Sequence, residues 1–194
     1  MGKLFCVLNV ILHRKISMNK IYEKHLIKKY PKMFRNMYAS NSRMIYGCEI
    51  EDGWFNILYA LCESIQSYLG QIQNSIKHKI IDPKTKVPEF AFLQIKEKLG
   101  ELRIYFSDGD EYIRGKVSMA AAMSRYVCEY CGVSTLEVAQ SKDWIKTLCP
   151  RCAKKNKKEI VVNKELSNLK KKVEKYDSKI KSKSRSKKKI KLKF

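Results

Sequence analysis

The sequence predicts an α+β fold in which helices pack on a β-hairpin, followed by a small treble-clef-like module and a basic helical or disordered C-terminal tail. Three observations support this fold class. Apolar residues recur every three or four positions over 54–76, the period of an amphipathic helix. Two strand-like stretches flank Gly100, as in a hairpin. Four cysteines then occur as two Cys-x2-Cys pairs, a spacing typical of structural metal sites.

Two helices with a loop-rich stretch between them are predicted in the first half of the body, which covers residues 18–125. A basic amphipathic helix occupies 18–30 and ends at Pro31, because proline cannot continue a helix. A longer helix occupies 54–79. Asp52 is its expected N-cap, since a carboxylate there can accept the free amide hydrogens of the first turn.

The second half of the body is predicted to be a hairpin followed by a helix. Strands are expected over 90–98 and 102–106, with a turn at 99–101 in which Gly100 can adopt positive φ. A third helix over 111–125 carries small residues that let it lie close to a sheet. One face of a hairpin must be buried, which favours a core position over base stacking for its aromatic residues. These are Phe90, Phe92, Tyr105, Phe106 and Tyr112.

The strongest chemical signal is the four-cysteine module at 126–158, with pairs at Cys128/Cys131 and Cys149/Cys152. Two residues between cysteines allow a tight turn that directs both thiolates at one ion. All four donors are cysteine, so no coordination position is left open, and one structural Zn²⁺ is the expected cofactor. Disulfides or free thiols are the alternatives, and seven cysteines argue against a complete disulfide framework.

The two cysteine pairs differ in their neighbouring residues. Gly132 comes directly after the first pair and suits a knuckle turn with positive φ. Pro150 lies within the second pair and suits the first turn of a helix. A knuckle, a hairpin and a helix carrying the last two ligands resemble a treble clef more than a symmetric zinc ribbon.

The charge of the chain is strongly positive and unevenly spread. The 194 residues carry 41 Lys and Arg against 19 Asp and Glu, and 154–194 contribute 18 of the bases and 4 of the acids. This basic tail predicts non-specific contacts with nucleic-acid phosphates, although a purely solubilising tail is the alternative. The predicted contacts are Lys154, Lys155, Lys157, Lys158, Lys170, Lys171, Lys172, Arg185, Lys187, Lys188 and Lys189.

Three further segments have expected boundaries. A short amphipathic helix at 159–180 has a heptad pattern over 162–180 that can form a dimer. Residues 181–194 are nearly all Lys, Ser and Arg and are expected to be disordered. Residues 1–17 form an extension, or precede a true start at Met18, and their apolar stretch is too short to span a membrane.

No catalytic arrangement is identified, so an enzymatic activity is not favoured. The three histidines lie outside residues 132–148, which excludes a nuclease that needs a histidine between its cysteine pairs. Five acidic residues around the hairpin are interpreted as charges in a solvated turn and at a helix N-terminus, where the helix dipole favours them. A divalent-cation site is the alternative. The five residues are Glu97, Glu101, Asp108, Asp110 and Glu111. Lys96, Lys98 and Arg103 are candidate contacts for a phosphate or a partner, or else form exposed cross-strand ion pairs.

Over 53–152, several short motifs follow one another in a fixed order: Gly53-Trp54, Leu61-Cys62, the run from Gln94 to Tyr105, Ser124, the run from Cys128 to Gly132, Trp144 and the run from Thr147 to Cys152. In wording and order, these motifs resemble a set of short bacteriophage and prophage proteins without an assigned activity. The chain departs from the family's pattern at Leu99, Glu101 and Ile104. The resemblance implies a viral origin.

These observations lead to two functional hypotheses. The first is a viral accessory zinc protein inside the host cell that binds nucleic acid through its tail. It would act in the cytoplasm, or in the nucleus of a eukaryotic host, because 186–193 resemble an import signal. The second is a protein-interaction module that binds or inhibits a host factor through the Trp54 helix or the hairpin.

Overall fold

The computed structural model describes residues 17–191, with side chains described for 17–181, so all of the predicted extension except Ser17 lies outside it. The fold is α+β, and a three-stranded mixed sheet forms the centre of the body. In hydrogen-bonded order, the strands are β1 (Cys48–Glu49), β2 (Ala91–Lys98) and β3 (Glu101–Ser107). β1 is parallel to β2 and β3 is antiparallel to β2.

Five α-helices and a second sheet complete the described part of the chain. The helices are α1 (Lys20–Lys29), α2 (Phe55–Lys77), α3 (Glu111–Ser124), α4 (Pro150–Lys155) and α5 (Lys164–Lys191). Strands β4 (Ala139–Gln140) and β5 (Thr147–Leu148) form a small antiparallel pair between α3 and α4. The helices predicted before and after the hairpin are therefore present, with ends that differ by a few residues.

The start of α2 differs from the prediction. Asp52 opens a 3₁₀ turn, Asp52–Trp54, and Trp54 occupies the N-cap position without a side-chain cap. The expectation that Asp52 caps α2 is wrong, because its carboxylate instead accepts the amide hydrogen of Asn19 at 2.7 Å. Asp52 therefore joins the start of α1 to the start of α2.

The hairpin turn has two central residues rather than three. Leu99 and Gly100 have φ of +54° and +70°, and Glu101 already belongs to β3. Two consecutive positive φ values define the turn geometry that matches the twist of a hairpin. Leu99 adopts a conformation that glycine would occupy more readily.

The core of the body lies between the sheet and the two helices α2 and α3. Trp54, Leu58 and Ile65 on or beside α2 are fully buried. Phe90 and Phe92 are buried as predicted, and Phe106 packs against the same cluster. A smaller apolar cluster lies within the four-cysteine module, centred on Val138 and Leu148.

Two of the aromatic residues expected in the core are exposed. Tyr105 is 47% exposed because it lies on the solvent face of the hairpin, opposite Gln94. Tyr112 is 52% exposed because it lies in the first turn of α3, where its ring packs at a tilt against Tyr68 outside the core. The expectation of burial is wrong for both of these tyrosines.

The C-terminal segment is a single long helix. α5 extends to Lys191, whereas a helix ending near 180 and disorder over 181–194 are predicted. The physical reason is composition: this stretch lacks glycine and proline, and lysine and arginine are good helix formers. Within 17–191, no helix is both long and apolar enough to cross a membrane.

Candidate metal centre

The four cysteines of the module meet at one point. The sulfur atoms of Cys128, Cys131, Cys149 and Cys152 all lie within 4.8 Å of one another. The Sγ atoms of Cys131 and Cys149 are 3.7 Å apart. A tetrahedral ion with Zn–S bonds of about 2.3 Å requires sulfur atoms about 3.8 Å apart, so the cluster has the size of a tetrathiolate site. The residues therefore lie together and can hold a metal ion.

The first pair of cysteines is held in a tight turn. The Gly132 amide donates to the carbonyl of Cys128 at 2.8 Å, and the Cys128 amide donates to the carbonyl of Val133 at 2.9 Å. Gly132 has φ of +73°, which confirms the reason for expecting glycine there. This turn directs both side chains of the pair to the same side.

The second pair lies at the start of α4. Cys149 is the N-cap residue, and its sulfur accepts the amide hydrogen of Cys152 at 3.4 Å. Pro150 occupies the first turn, as the sequence predicts. The β4–β5 pair carries the chain back to the first turn, because Leu148 is paired with Ala139 directly before the third ligand.

The electrostatics of the cluster oppose the ionisation of the Cys128 and Cys152 thiols. Burial raises the pKa of Cys128, and burial together with the neighbouring thiols raises the pKa of Cys152. Burial also acts on Cys131, but the Val133 amide and the neighbouring thiols outweigh it and lower the pKa of Cys131 to about 7. The guanidinium of Arg151 interacts with Cys131, which raises the pKa of Arg151. A divalent cation is the natural compensating charge for such a group.

The first cysteine turn is docked on the body by Gly53 and Trp54. The Gly53 amide donates to the carbonyl of Glu129 at 2.8 Å, and the Trp54 indole donates to the carbonyl of Val127 at 2.9 Å. A Cβ atom at Gly53 would lie 2.2 Å from the backbone oxygen of Cys128. Only glycine allows this approach.

A buried ion-pair triad joins the module to the hairpin of the body. Lys146 is 3% exposed, and its Nζ lies 2.9 Å from Glu97 and 2.8 Å from Glu129. Burial acts to lower the pKa of Lys146, but the two carboxylates outweigh it and raise that pKa. Burial raises the pKa of Glu129 to about 7, although Lys146 opposes this shift. Neither Glu129 oxygen makes an aligned hydrogen bond within the described residues.

The tips of the two hairpins also touch. Thr147 donates from its hydroxyl to the carbonyl of Gly100 at 2.6 Å, and Gln140 donates from its side chain to the carbonyl of Leu99 at 3.1 Å. The sequence did not predict the Lys146 triad as part of the site. The one local indication of the triad is Glu129, a charged residue inside the cysteine turn.

The acidic residues around the hairpin do not converge on a cation site. Glu97 contacts Lys146, Glu101 contacts Arg125, and Asp110 caps α3. The Asp108 carboxylate accepts the amide hydrogen of Glu89, which lowers the pKa of Asp108, and Glu111 pairs with Arg114. Among the described residues, the four cysteines are the one group of His, Cys, Asp and Glu that can hold a metal ion.

The structure separates the predicted nucleic-acid contacts into two places. Lys154, Lys155 and Lys157 are exposed on or just after α4, beside the cysteine cluster. Lys171 and Lys172 are exposed on α5, whereas Lys170 is half-buried and pairs with Glu137. Lys158 is half-buried and donates to the carbonyl of Asp143. The side chains of Arg185, Lys187, Lys188 and Lys189 lie outside the described part.

The three basic residues of the hairpin do not form the expected cross-strand ion pairs. Lys96 lies directly opposite Arg103, and Lys98 lies opposite Glu101. Arg103 pairs with Glu101 on its own strand, at 3.3 Å. Lys96 instead stands over the ring of Tyr105, with its Nζ 5.3 Å from the ring centroid.

The fold and this cluster define an α+β protein with a four-cysteine group that can hold a metal ion. Comparison of the chain with family models, with curated proteins and with solved structures finds no match.

Proposed function

We propose that the module binds one Zn²⁺ in a structural, treble-clef-like site. The observation that carries this is the cluster of four sulfur atoms within 4.8 Å of one another, with all donors supplied by the chain. Zinc favours tetrahedral thiolate coordination, and a site with four protein ligands has no position for a substrate. The order of the cysteine turn, the β4–β5 pair and the α4 helix supports the treble-clef part of this proposal.

Metal content tests the zinc site directly. The purified full-length chain is expected to contain about one zinc ion by elemental analysis, and Cys149→Ser is expected to lose it. Cys62→Ala is the matched control, because Cys62 is buried in α2, outside the module. Unchanged zinc in Cys149→Ser, or another metal in the wild type, contradicts the assignment.

We further propose that the protein binds nucleic acid through its basic C-terminal region. The supporting observation is that exposed lysines lie on or just after α4, beside the cysteine cluster, and along the described side chains of α5. The helical repeat places the lysines of α5 at regular intervals, which suits a polyanion with regularly spaced phosphates. Contacts of this kind supply affinity without reading sequence.

Salt dependence separates phosphate contacts from other contacts. Neutralising Lys171, Lys172, Lys187 and Lys188 to glutamine is expected to weaken binding to duplex DNA and to RNA. The plot of log affinity against log salt should become shallower by up to about 0.9 per lost phosphate contact. The control neutralises four exposed lysines of the body: Lys24, Lys28, Lys77 and Lys84. Equal losses in both variants mean that net charge alone attracts nucleic acid, and the proposed surface is then wrong.

A viral accessory role inside an infected cell is the biological setting that we propose. It is supported by the resemblance of 53–152 to phage-encoded proteins and by Cys48 and Cys62, which are fully buried and form no disulfide. Unpaired cysteines are typical of reducing compartments.

Protein binding is the second candidate function. Trp54 itself is fully buried, so a partner cannot contact its ring, whereas α2, the helix that begins after it, stays a candidate surface. Two features favour a protein partner: Trp144 is 71% exposed, and an apolar groove of about 410 Å³ lies between α2 and α3 beside Met119 and Met123. Exposed tryptophans are frequent binding hot spots. A complex that survives high salt but is lost in Trp144→Ala or Met123→Asp supports this candidate.

A further inference from the structure

A second groove, which is polar, lies along the solvent face of the central sheet, away from the cysteine cluster. It has a volume of about 730 Å³ and combines cations, amides and one aromatic ring. Its lining includes Arg43, from the 3₁₀ turn Arg43–Tyr46 before β1, and Lys96 and Tyr105, from β2 and β3. Asn41 and Gln94 add amide groups to its lining.

The positive charge of this face is only partly balanced, because Glu49 lies opposite Lys96 in the β1–β2 pairing but its carboxylate accepts a hydrogen bond from Gln94 at 3.2 Å. Lys96 and Arg103 are directly opposite each other on neighbouring strands, an arrangement that destabilises a hairpin unless an anion lies nearby. The adjacent carboxylate, Glu101, is shared between Arg103 and Arg125. In the part of the chain that the structure describes, no carboxylate lies within 4.0 Å of Arg43 or Lys96.

Tyr105 is the aromatic surface of the groove. It is about half exposed, and Lys96 stands over its ring rather than over a carboxylate. A tyrosine in the core of this fold is shielded on both faces, whereas the position of Tyr105 on the outer side of β3 leaves its ring accessible from the groove. An accessible aromatic ring beside cationic side chains is the combination found in proteins that bind single strands.

We propose that this groove binds single-stranded nucleic acid, with backbone phosphates at Arg43 and Lys96 and one base stacked on Tyr105. The inference rests on the proposed nucleic-acid function and gives the body its own part in it. A single strand is favoured over a duplex, because only an unpaired base offers a free face to the tyrosine ring. The basic tail then holds the strand by charge, and the groove selects unpaired segments.

The test measures binding of the full chain to labelled oligothymidylate and oligouridylate of about 16 nucleotides, and to a duplex of equal length. Tyr105→Ala should weaken binding to the single strands about fivefold or more and leave duplex binding unchanged. Tyr105→Phe keeps the ring and should restore the affinity. Tyr126→Ala removes a tyrosine that is 60% exposed and lies outside the groove, so it should change neither single-strand nor duplex affinity.

The cations are tested by salt dependence. The double variant Arg43→Gln/Lys96→Gln should flatten the salt dependence of single-strand binding by about 1.4, the effect of two lost phosphate contacts. Lys77→Gln/Lys84→Gln removes the same charge elsewhere on the body and should leave that dependence unchanged. Zinc content and circular dichroism of each variant confirm that it folds.

Two outcomes overturn the groove while the tail function stands. The first is a wild type that binds nucleic acid while the groove variants behave like their controls. The second is that the groove variants lose binding to polyglutamate but keep binding to the oligonucleotides, which assigns the groove to an acidic peptide. A wild type that binds no nucleic acid overturns both proposals.

Discussion

The backbone amide of Gly53 donates to the carbonyl of Glu129, so the turn before α2 rests directly on the first cysteine turn. Trp54 adds a second hydrogen bond to the same segment through Val127. The body and the four-cysteine module therefore share a backbone interface rather than a flexible connection. A substitution at this contact should consequently affect both the body and the module.

Gly53→Ala is expected to destabilise the protein by about 2 kcal/mol or more, because the added Cβ would lie 2.2 Å from the backbone oxygen of Cys128 and backbone atoms cannot easily move aside. Chemical denaturation measures the free energy of unfolding. Gly70→Ala is the matched control, since a Cβ at Gly70 in α2 has no neighbour within 4 Å. That change should stabilise the helix by about 0.5–1 kcal/mol. Similar results for the two variants would contradict the docking role of Gly53.

The Lys146 triad predicts a large effect from a single substitution. Lys146→Met leaves Glu97 and Glu129 buried without a cation, and the expected loss is about 3–5 kcal/mol. Lys142→Met is the control, because its partner Glu159 and Lys142 itself are more than half exposed. Exposed pairs contribute less than about 1 kcal/mol. Thermal denaturation of both variants distinguishes a buried charge network from a surface one.

Much of the body can be predicted from the sequence, because its helices and hairpin carry regular patterns. The apolar period of α2 and the alternation of β2 and β3 reflect local burial, and local burial leaves a trace in consecutive residues. β1 leaves no such trace: it contains two residues, and its partner, β2, begins at Ala91, more than 40 positions later. The cysteine cluster was predictable because metal ligands are a fixed residue type at a fixed spacing.

The features that escaped prediction depend on long-range contacts. Lys146 and Glu97 are 49 positions apart, and nothing in either local sequence marks them as partners. The role of Gly53 is set by the backbone of Glu129, far along the chain. In the same way, the exposure of Tyr105 depends on which side of the hairpin faces α2 and α3. An alternating strand pattern does not decide this when both faces carry aromatic residues.

Metal removal should affect the module more than the rest of the protein. Zinc-binding modules of this size depend on the ion for folding, because their own apolar cluster is small. Treatment with a chelator is expected to abolish hydrogen-exchange protection over 128–152. Protection in the central turns of α2 should persist, since they belong to the larger core. Uniform loss across both regions, or no loss in either, would contradict a separate zinc-dependent unit.

The exposed apolar side of α5 is the basis of the proposed dimer. Leu169, Val173, Tyr176 and Ile180 continue the heptad spacing on one face, and all four are exposed. With Leu169 at position d of the heptad, Lys172 falls at position g and Asp177 at position e of the next heptad. These g and e positions lie next to each other across a parallel coiled coil. Lys172 of one copy would then face Asp177 of the second copy.

This charge complementarity makes the dimer testable by a charge swap. Asp177→Lys is expected to weaken self-association, because two lysines would then face each other across the helix pair. The double variant Lys172→Asp/Asp177→Lys should restore association, since the opposite charges are regained in reverse order. Sedimentation equilibrium at several protein concentrations measures the effect, and Val173→Asp, which places a charge in the apolar seam, should abolish it. The basic segment beyond 180 repels its copy, so the wild-type dimer should strengthen with added salt. A wild type that stays monomeric at every concentration and salt level, or a double variant no better than Asp177→Lys alone, would assign the apolar face of α5 to something other than a parallel pair.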